Sequence, residues 1–84
     1  MAKSDQESTL IIETTQGNWE TTFPKTAKVS EVIDAVRKHF GFSAEGNYEL
    51  KLSTGEVMKP ERPLISYHLN DGDRVTFVDL GSAV

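Results

Sequence analysis

The chain has 84 residues, a net charge of −4 at neutral pH and no cysteine. A chain of this length forms one domain that buries only about 60% of its unfolded surface, so we expect a compact core and no deep catalytic cleft. The absence of cysteine excludes disulfides, thiolate metal sites and a cysteine nucleophile. The acidic balance argues against nucleic acid and against an anionic membrane as partners, because both attract clustered Lys and Arg.

The first eight residues are polar and carry no apolar run, which is typical of a disordered lead rather than a signal peptide. No segment approaches the roughly 20 apolar residues of a membrane helix, and a cysteine-free chain suits a reducing compartment. We therefore predict a cytoplasmic monomer. Its folded domain spans residues 9–80, between a disordered lead at 1–8 and a flexible tail at 81–84.

Two short alternating segments predict a β-hairpin near the start of the chain. The candidate strands are Thr9–Thr14 and Trp19–Phe23, and a turn signal containing Gly17 separates them. Alternation directs Trp19 toward the core. Pro24 ends the second strand, because proline has no N–H to donate to a ladder.

The period then changes to that of a helix over Val29–Phe40. The helix ends at Gly41, which readily takes a left-handed conformation. Its start has two interpretations: Ser30 caps it, or Lys28 is the boundary residue with Glu31 in the first turn. The apolar stripe consists of Val29, Val32, Ile33, Val36 and Phe40.

The second half of the chain returns to strands. The predicted elements are a third strand at Tyr48–Ser53, a short fourth strand at Glu56–Met58, a one-turn helix from Pro63 to Tyr67, and a last strand at Arg74–Leu80. The last strand is the most apolar, so we place it at the centre of the sheet. We expect it to pair parallel with the first strand through a right-handed crossover. The fold class is α+β, with a mixed sheet of four to five strands packed on one helix.

The pattern also predicts which side chains are buried together. We expect a core of Leu10, Ile12, Phe23, Val32, Val36, Leu50, Leu52, Leu64, Leu69, Val75 and Phe77.

Several features of residues 9–81 together resemble the ubiquitin-like, or β-grasp, proteins, and in particular divergent bacterial members. They are the Leu64-x-x-Tyr67-x-Leu69 spacing before the last strand, the Thr54-Gly55 turn, the helix stripe and the Val75/Phe77 pair. In that family the tyrosine hydroxyl satisfies a backbone group in the neighbouring loop, and a buried tyrosine needs such a partner.

The resemblance implies a function at the end of the chain. Family members that are conjugated end in two glycines, whereas this sequence ends Gly81-Ser82-Ala83-Val84. The resemblance therefore implies a protein modifier conjugated through Gly81 after a peptidase removes residues 82–84. Its partners would be activating (E1-like) and conjugating enzymes and target proteins, with no cofactor. Two alternatives stay open: a non-conjugated protein-binding module, and a sulfur carrier, which would also need a C-terminal glycine.

The resemblance also implies a recognition surface on the outer face of the sheet. Ubiquitin has an aliphatic residue on its third strand where this sequence has Lys51, whereas Val78 matches a position of that surface. We therefore expect ubiquitin's usual receptors not to bind. The predicted partner-binding residues are Ile11, Lys51, Thr76, Val78 and Leu80, with Ile11 beside Val78 if the first and last strands pair.

No catalytic constellation occurs in the sequence. Asp71 and Asp73 flank Gly72, and turn chemistry accounts for both carboxylates. His39 and His68 are far apart and lack neighbouring ligand residues. We predict neither a metal site nor an enzyme.

Overall fold

In the computed structural model of the protein, which describes residues 6–82 and only the backbone of Ser82, one face of a five-stranded sheet packs against a helix. The elements are β1 (Glu7–Thr14), β2 (Gly17–Pro24), α1 (Val29–Phe40), β3 (Gly46–Leu52), β4 (Val57–Met58), a 3-10 helix (Leu64–Tyr67) and β5 (Asp73–Ser82). The strand order is β2-β1-β5-β3-β4. β1 and β5 are parallel and the other pairs are antiparallel. The predicted mixed sheet with a central last strand is confirmed.

The first strand begins earlier than the sequence pattern indicates. Glu7 and Ser8 belong to β1, and Ser8 lies opposite Phe23 of β2. Ser8 is 2% exposed, so this small polar side chain faces the interior. The predicted disordered lead at 1–8 is therefore wrong for these two residues, because a serine without apolar neighbours gave no strand signal. Residues 1–5 of that lead lie outside the described residues.

The helix spans Val29–Phe40 as predicted. Of the two interpretations of its start, Lys28 is correct: it is the boundary residue, and its backbone N–H donates to the Glu31 carboxylate at 3.0 Å. A carboxylate in the first turn also complements the positive end of the helix dipole. Gly41 ends the helix with φ of 75°, in the left-handed region that glycine occupies without strain.

The loop at residues 59–63 closes over the start of α1. The Ser30 N–H donates to the Pro60 carbonyl at 3.0 Å, which satisfies a helix N–H that has no partner within the helix. The Tyr67 hydroxyl accepts a hydrogen bond from the Lys59 N–H at 2.6 Å. The expectation that this tyrosine satisfies loop backbone is confirmed.

The core lies between the sheet and the helix, and most of the predicted residues are in it. Phe23, Leu52 and Leu69 are only partly buried and pack against its edge. Met58, which was not predicted, is fully buried opposite Leu50. The buried apolar residues are Leu10, Ile12, Ala27, Val29, Val32, Val36, Leu50, Met58, Leu64, Val75 and Phe77.

Aromatic rings extend the core toward the end of α1. Phe77 stacks on Tyr48 and on Phe42, with ring centroids 5.0 and 5.1 Å apart. At the opposite end of the ring series, His39 lies flat against Trp19, with centroids 3.9 Å apart. The predicted inward direction of Trp19 is confirmed, although the side chain is only partly buried.

Leu50 provides a test of the core. The side chain is 0% exposed at the centre of the sheet, so we expect Leu50→Ala to lower the free energy of unfolding by about 2–5 kcal/mol. Leu80→Ala is the matched control: Leu80 is 57% exposed, and its loss should change stability by no more than about 0.5 kcal/mol. Denaturant titration measures both, and equal effects of the two substitutions would contradict the core assignment.

Candidate interaction surface and the end of the last strand

The helix covers one face of the sheet, and the opposite face, here called the outer face, is free of helix. Because side chains alternate along each strand, the neighbours of the buried residues point outward. The outer face carries Glu20 and Thr22 of β2, Thr9, Ile11 and Glu13 of β1, Arg74, Thr76 and Val78 of β5, Glu49 and Lys51 of β3, and Val57 of β4.

One continuous row of side chains crosses the middle of this face. Thr76 of β5 lies opposite Glu13 on one side and opposite Lys51 on the other, and Lys51 lies opposite Val57. Val78 is the next outward residue of β5, beside Glu49. The structure thus brings together Lys51, Thr76 and Val78, three of the predicted partner-binding residues. We call Lys51, Val57, Thr76 and Val78 the central patch.

Ile11 lies elsewhere on the outer face, and its predicted adjacency to Val78 is wrong. Ile11 is opposite Glu20 in β2 and opposite Arg74 in β5. Val78 is four residues beyond Arg74, or roughly 13 Å along the strand. The parallel register sets this separation, and a hydrophobic pattern shared by both strands does not reveal it.

Val57 is the member of the central patch that the sequence interpretation did not single out. It is 45% exposed, while the next residue, Met58, is fully buried. In the sequence, alternation along β4 could indicate only that Val57 and Met58 point to opposite faces of the sheet. The pairing of Val57 with Lys51 shows that Val57 lies next to Lys51 on the outer face.

Two ion pairs lie on the outer face. The Arg74 guanidinium contacts the Glu13 carboxylate at 2.9 Å, and the Lys51 ammonium lies 3.7 Å from the Glu49 carboxylate. Exposed pairs of this kind contribute only about 0–1 kcal/mol each, so a partner can rearrange them at little cost. Ile11 is thus bordered by charged residues. Val78, the apolar member of the central patch on β5, is followed two residues later by the apolar Leu80.

Leu80 lies where the ladder between β3 and β5 is irregular. The register shifts between Asn47 and Tyr48, and Leu80 has no paired residue opposite it. Its side chain is 57% exposed. Pairing resumes beyond it, with Gly81 opposite Asn47.

Gly81, the predicted conjugation residue, is exposed but belongs to β5. Its N–H donates to the Asp79 carboxylate at 2.8 Å, and its carbonyl accepts from the Asn47 side-chain amide at 3.3 Å. Its φ of 83° is left-handed, which gives this position a conformational reason for glycine. The predicted flexible tail at 81–84 is wrong for residues 81 and 82, which continue the strand; residues 83 and 84 lie outside the described residues.

The paired carboxylates of the Asn70–Asp73 turn hold backbone groups. The Asp71 carboxylate accepts from the Thr9 N–H at 3.0 Å, and that of Asp73 accepts from the Asn70 N–H at 2.8 Å.

Between residues 6 and 82, no three His, Asp or Glu side chains lie close enough to hold a metal ion. Over the same residues, no helix has the length and apolar character required to cross a bilayer.

Comparison with known proteins identifies the fold. No protein-family model matches the chain, and no curated protein matches it. Among solved structures, a chain from the work described as "Molecular mimicry of SUMO promotes DNA repair" is 21% identical, with a TM-score of 0.79 over 90% of this chain and 95% of that one. The EccD5 ubiquitin-like domain from Mycobacterium xenopi is 20% identical, with a TM-score of 0.71 over 93% of this chain and 99% of that one.

A third similar chain shows the fold within a longer protein. It comes from the complex of pParkin, pUb and UbcH7, is 12% identical, and has a TM-score of 0.78 over 89% of this chain but only 23% of that one. Identities this low establish the fold alone. The chain has the ubiquitin-like β-grasp fold.

The anchoring of Gly81 can be tested by hydrogen exchange. Asp79→Ala removes the carboxylate that accepts the Gly81 N–H, so we expect that amide to exchange about tenfold faster. Asp79→Asn is the matched control, because its side-chain oxygen still accepts a hydrogen bond and should preserve most of the protection. Exchange at Gly81 that is fast in the unmodified protein and unchanged by Asp79→Ala would show that the end of β5 is not held.

Proposed function

We propose that this protein is a non-catalytic, cytoplasmic ubiquitin-like domain that binds a protein partner through the central patch of its outer face. The observation that carries the proposal is the grouping of Val57 and Val78 with Lys51 and Thr76 on three adjacent strands. Small groups of exposed apolar residues bordered by polar ones are typical of protein-binding surfaces.

The sheet makes this patch suitable for binding. Thr76 of β5 is paired with both β1 and β3, and Val78 is paired with β3, so the backbones of both residues are held in place before a partner arrives. A surface that is already ordered loses little conformational entropy on association. Occurrence of the same fold in a complex with other proteins also supports a protein partner.

The charge of Lys51 indicates which chemical groups the partner presents to the central patch. Among the ion pairs of the described residues, the Lys51 ammonium contacts only the half-buried Glu49 carboxylate, at 3.7 Å. A partner that places an acidic group beside an aliphatic one would satisfy both Lys51 and Val78. This requirement differs from that of a receptor built for an aliphatic residue at position 51, which supports the expectation that ubiquitin's usual receptors do not bind.

Val78→Asp tests the central patch. We expect the fold to be retained, since Val78 lies on the outer face, and partner affinity to fall by tenfold or more, as on loss of a typical hot spot worth about 2 kcal/mol. The partner is first crosslinked from the source organism through a photoreactive residue at position 76, then identified, purified and titrated.

Thr22→Asp is the control for this experiment, because it adds the same charge to the outer face at the far edge strand β2. Amide spectra establish that both variants are folded. Equal affinities of the two variants for the purified partner would exclude the central patch as the binding surface.

Conjugation through Gly81 is a second candidate function. It is favoured by the exposure of Gly81 near the end of β5 and by the fact that hydrogen bonds to side chains hold Gly81 there. Its N–H donates to the Asp79 carboxylate, and its carbonyl accepts from the Asn47 side-chain amide. The bond from Asn47 stabilises by about 0.5–1.5 kcal/mol and the bond to the Asp79 carboxylate by about 1.5–3 kcal/mol, so an enzyme that binds the end of β5 can detach it. A sulfur carrier would require the same release and the same carboxylate.

A chain ending at Gly81 tests this second candidate. With its cognate activating enzyme and ATP, the Gly81 carboxylate should form an adenylate with release of pyrophosphate. A cysteine thiolate of the enzyme then attacks the adenylate, which forms a thioester and releases AMP. Intact mass measures the adduct. A chain ending at Leu80 is the control and should form none; absence of an adduct with both chains would leave the binding function as the only supported one.

A further inference from the structure

A cavity lies on the opposite side of β1 from the outer face. Ser8 lines it and faces the same side of β1 as the buried residues Leu10 and Ile12. The cavity has a volume of about 240 Å³, and its other walls come from the segment after β2 and from the 3-10 helix and the residues that follow it. It is therefore separate from the central patch and plays no part in the function proposed above.

The walls of the cavity combine aliphatic and cationic side chains. Leu64, Ile65 and Leu69 supply apolar surface, and Ile65 is 52% exposed although it is an isoleucine. Lys25 supplies an ammonium group and His68 an imidazole. Among residues 6–82, no Asp or Glu lines the cavity.

Neither basic side chain of the cavity has an acidic partner within residues 6–82. The ion pairs of the described residues join Arg37 with Asp34, Lys51 with Glu49, and Arg74 with Glu13. The two carboxylates of the following turn, Asp71 and Asp73, already accept hydrogen bonds from backbone N–H groups. The Lys25 ammonium, which has no acidic partner in this range, makes the cavity complementary to an anion.

The backbone around the cavity is held in one arrangement. The Ile65 N–H donates to the Lys25 carbonyl at 2.9 Å, which ties the 3-10 helix to the segment after β2. His68 has φ of 52°, a left-handed conformation that is uncommon for residues other than glycine, and its N–H donates to the Ile65 carbonyl at 3.2 Å. Lys25 and His68 are therefore both attached through backbone hydrogen bonds to the residue at the mouth of the cavity.

We propose that this cavity binds the C-terminal residue of a partner protein, with an aliphatic side chain against Leu64, Ile65 and Leu69 and the terminal carboxylate beside Lys25 and His68. Its volume is below the roughly 300–1,000 Å³ of pockets for drug-sized ligands, so it suits a single residue. One residue carries both an aliphatic side chain and a carboxylate only at a chain terminus. An internal Asp or Glu of the partner would supply a carboxylate but no aliphatic side chain. A second residue and the continuing backbone of the partner would then have to fit into the same cavity.

The test uses the ¹⁵N-labelled full-length protein and the probe N-acetyl-glycyl-leucine with a free carboxylate. We expect saturable shifts of the backbone amides of Lys25, Ile65, His68 and Leu69. The C-terminal amide of the same probe should bind about tenfold more weakly, the usual effect of losing a charge-assisted hydrogen bond.

Matched variants assign the carboxylate partners. Lys25→Gln keeps much of the side-chain stem but removes the charge, and His68→Asn keeps a residue that tolerates the left-handed conformation. Each should weaken probe binding by about tenfold. Lys38→Gln removes an exposed charge from the last turn of α1 and should leave binding unchanged.

Three results would overturn the proposal. The first is equal binding of the acid and the amide, or shifts that fall on the central patch instead. The second is equal or tighter binding of N-acetyl-leucyl-glutamate α-amide, whose only carboxylate is that of the glutamate side chain. The third is tighter probe binding after deletion of residues 1–5 together with a shift of the same cavity amides by Asp5→Asn in the full chain without probe, which would make the chain's own N-terminal segment the occupant.

Discussion

The parallel pairing of β1 with β5 is the constraint on which the rest of the structure depends. It aligns Ile12 with Val75 beneath the helix, so the two ends of the domain share one core row. Such a contact between distant segments forms only when the intervening chain has folded around it. β1 also pairs with β2, β5 with β3, and β3 with β4, so the central pairing joins all five strands into one sheet.

The same register organises both faces of the sheet. On the outer face it leaves Ile11 among charged residues and groups Val78 with Thr76, Lys51 and Val57. On the helix side, the start of β1 places Ser8 against the 3-10 helix and forms one wall of the small cavity. A partner at the central patch and a carboxylate in the cavity would therefore contact opposite sides of one rigid sheet.

β5 connects the two candidate functions. Its middle carries Val78 of the central patch, and its end carries Gly81, held by Asp79 and Asn47. An enzyme that acts on Gly81 must first detach the end of this strand, whereas a partner bound at Val78 benefits from its rigidity. The register irregularity beside Leu80 lies between the two regions, so the last residues can separate without disturbing the paired core.

Local sequence signals account for the elements that were predicted well. The 3.6-residue stripe and Gly41 determine the helix Val29–Phe40, because its period and its left-handed end are properties of the segment itself. The spacing of Leu64 and Tyr67 likewise located the 3-10 helix. Alternation identified each long strand and the inward direction of Trp19, but left strand ends displaced by one or two residues, since pairing with a neighbour decides where a strand stops.

The sequence by itself therefore determined the element order, the helix, most of the core and the β-grasp class. Only the tertiary structure decided that Ile11 and Val78 lie apart, that Ser8 is buried, that Val57 joins Lys51, and that Gly81 is bonded within a strand. Each of these depends on which residue of one strand lies opposite which residue of another. A shift of register between two strands would change which residues lie opposite each other, but it would leave the alternation of apolar and polar residues along each strand unchanged. The local sequence therefore does not determine these cross-strand neighbours.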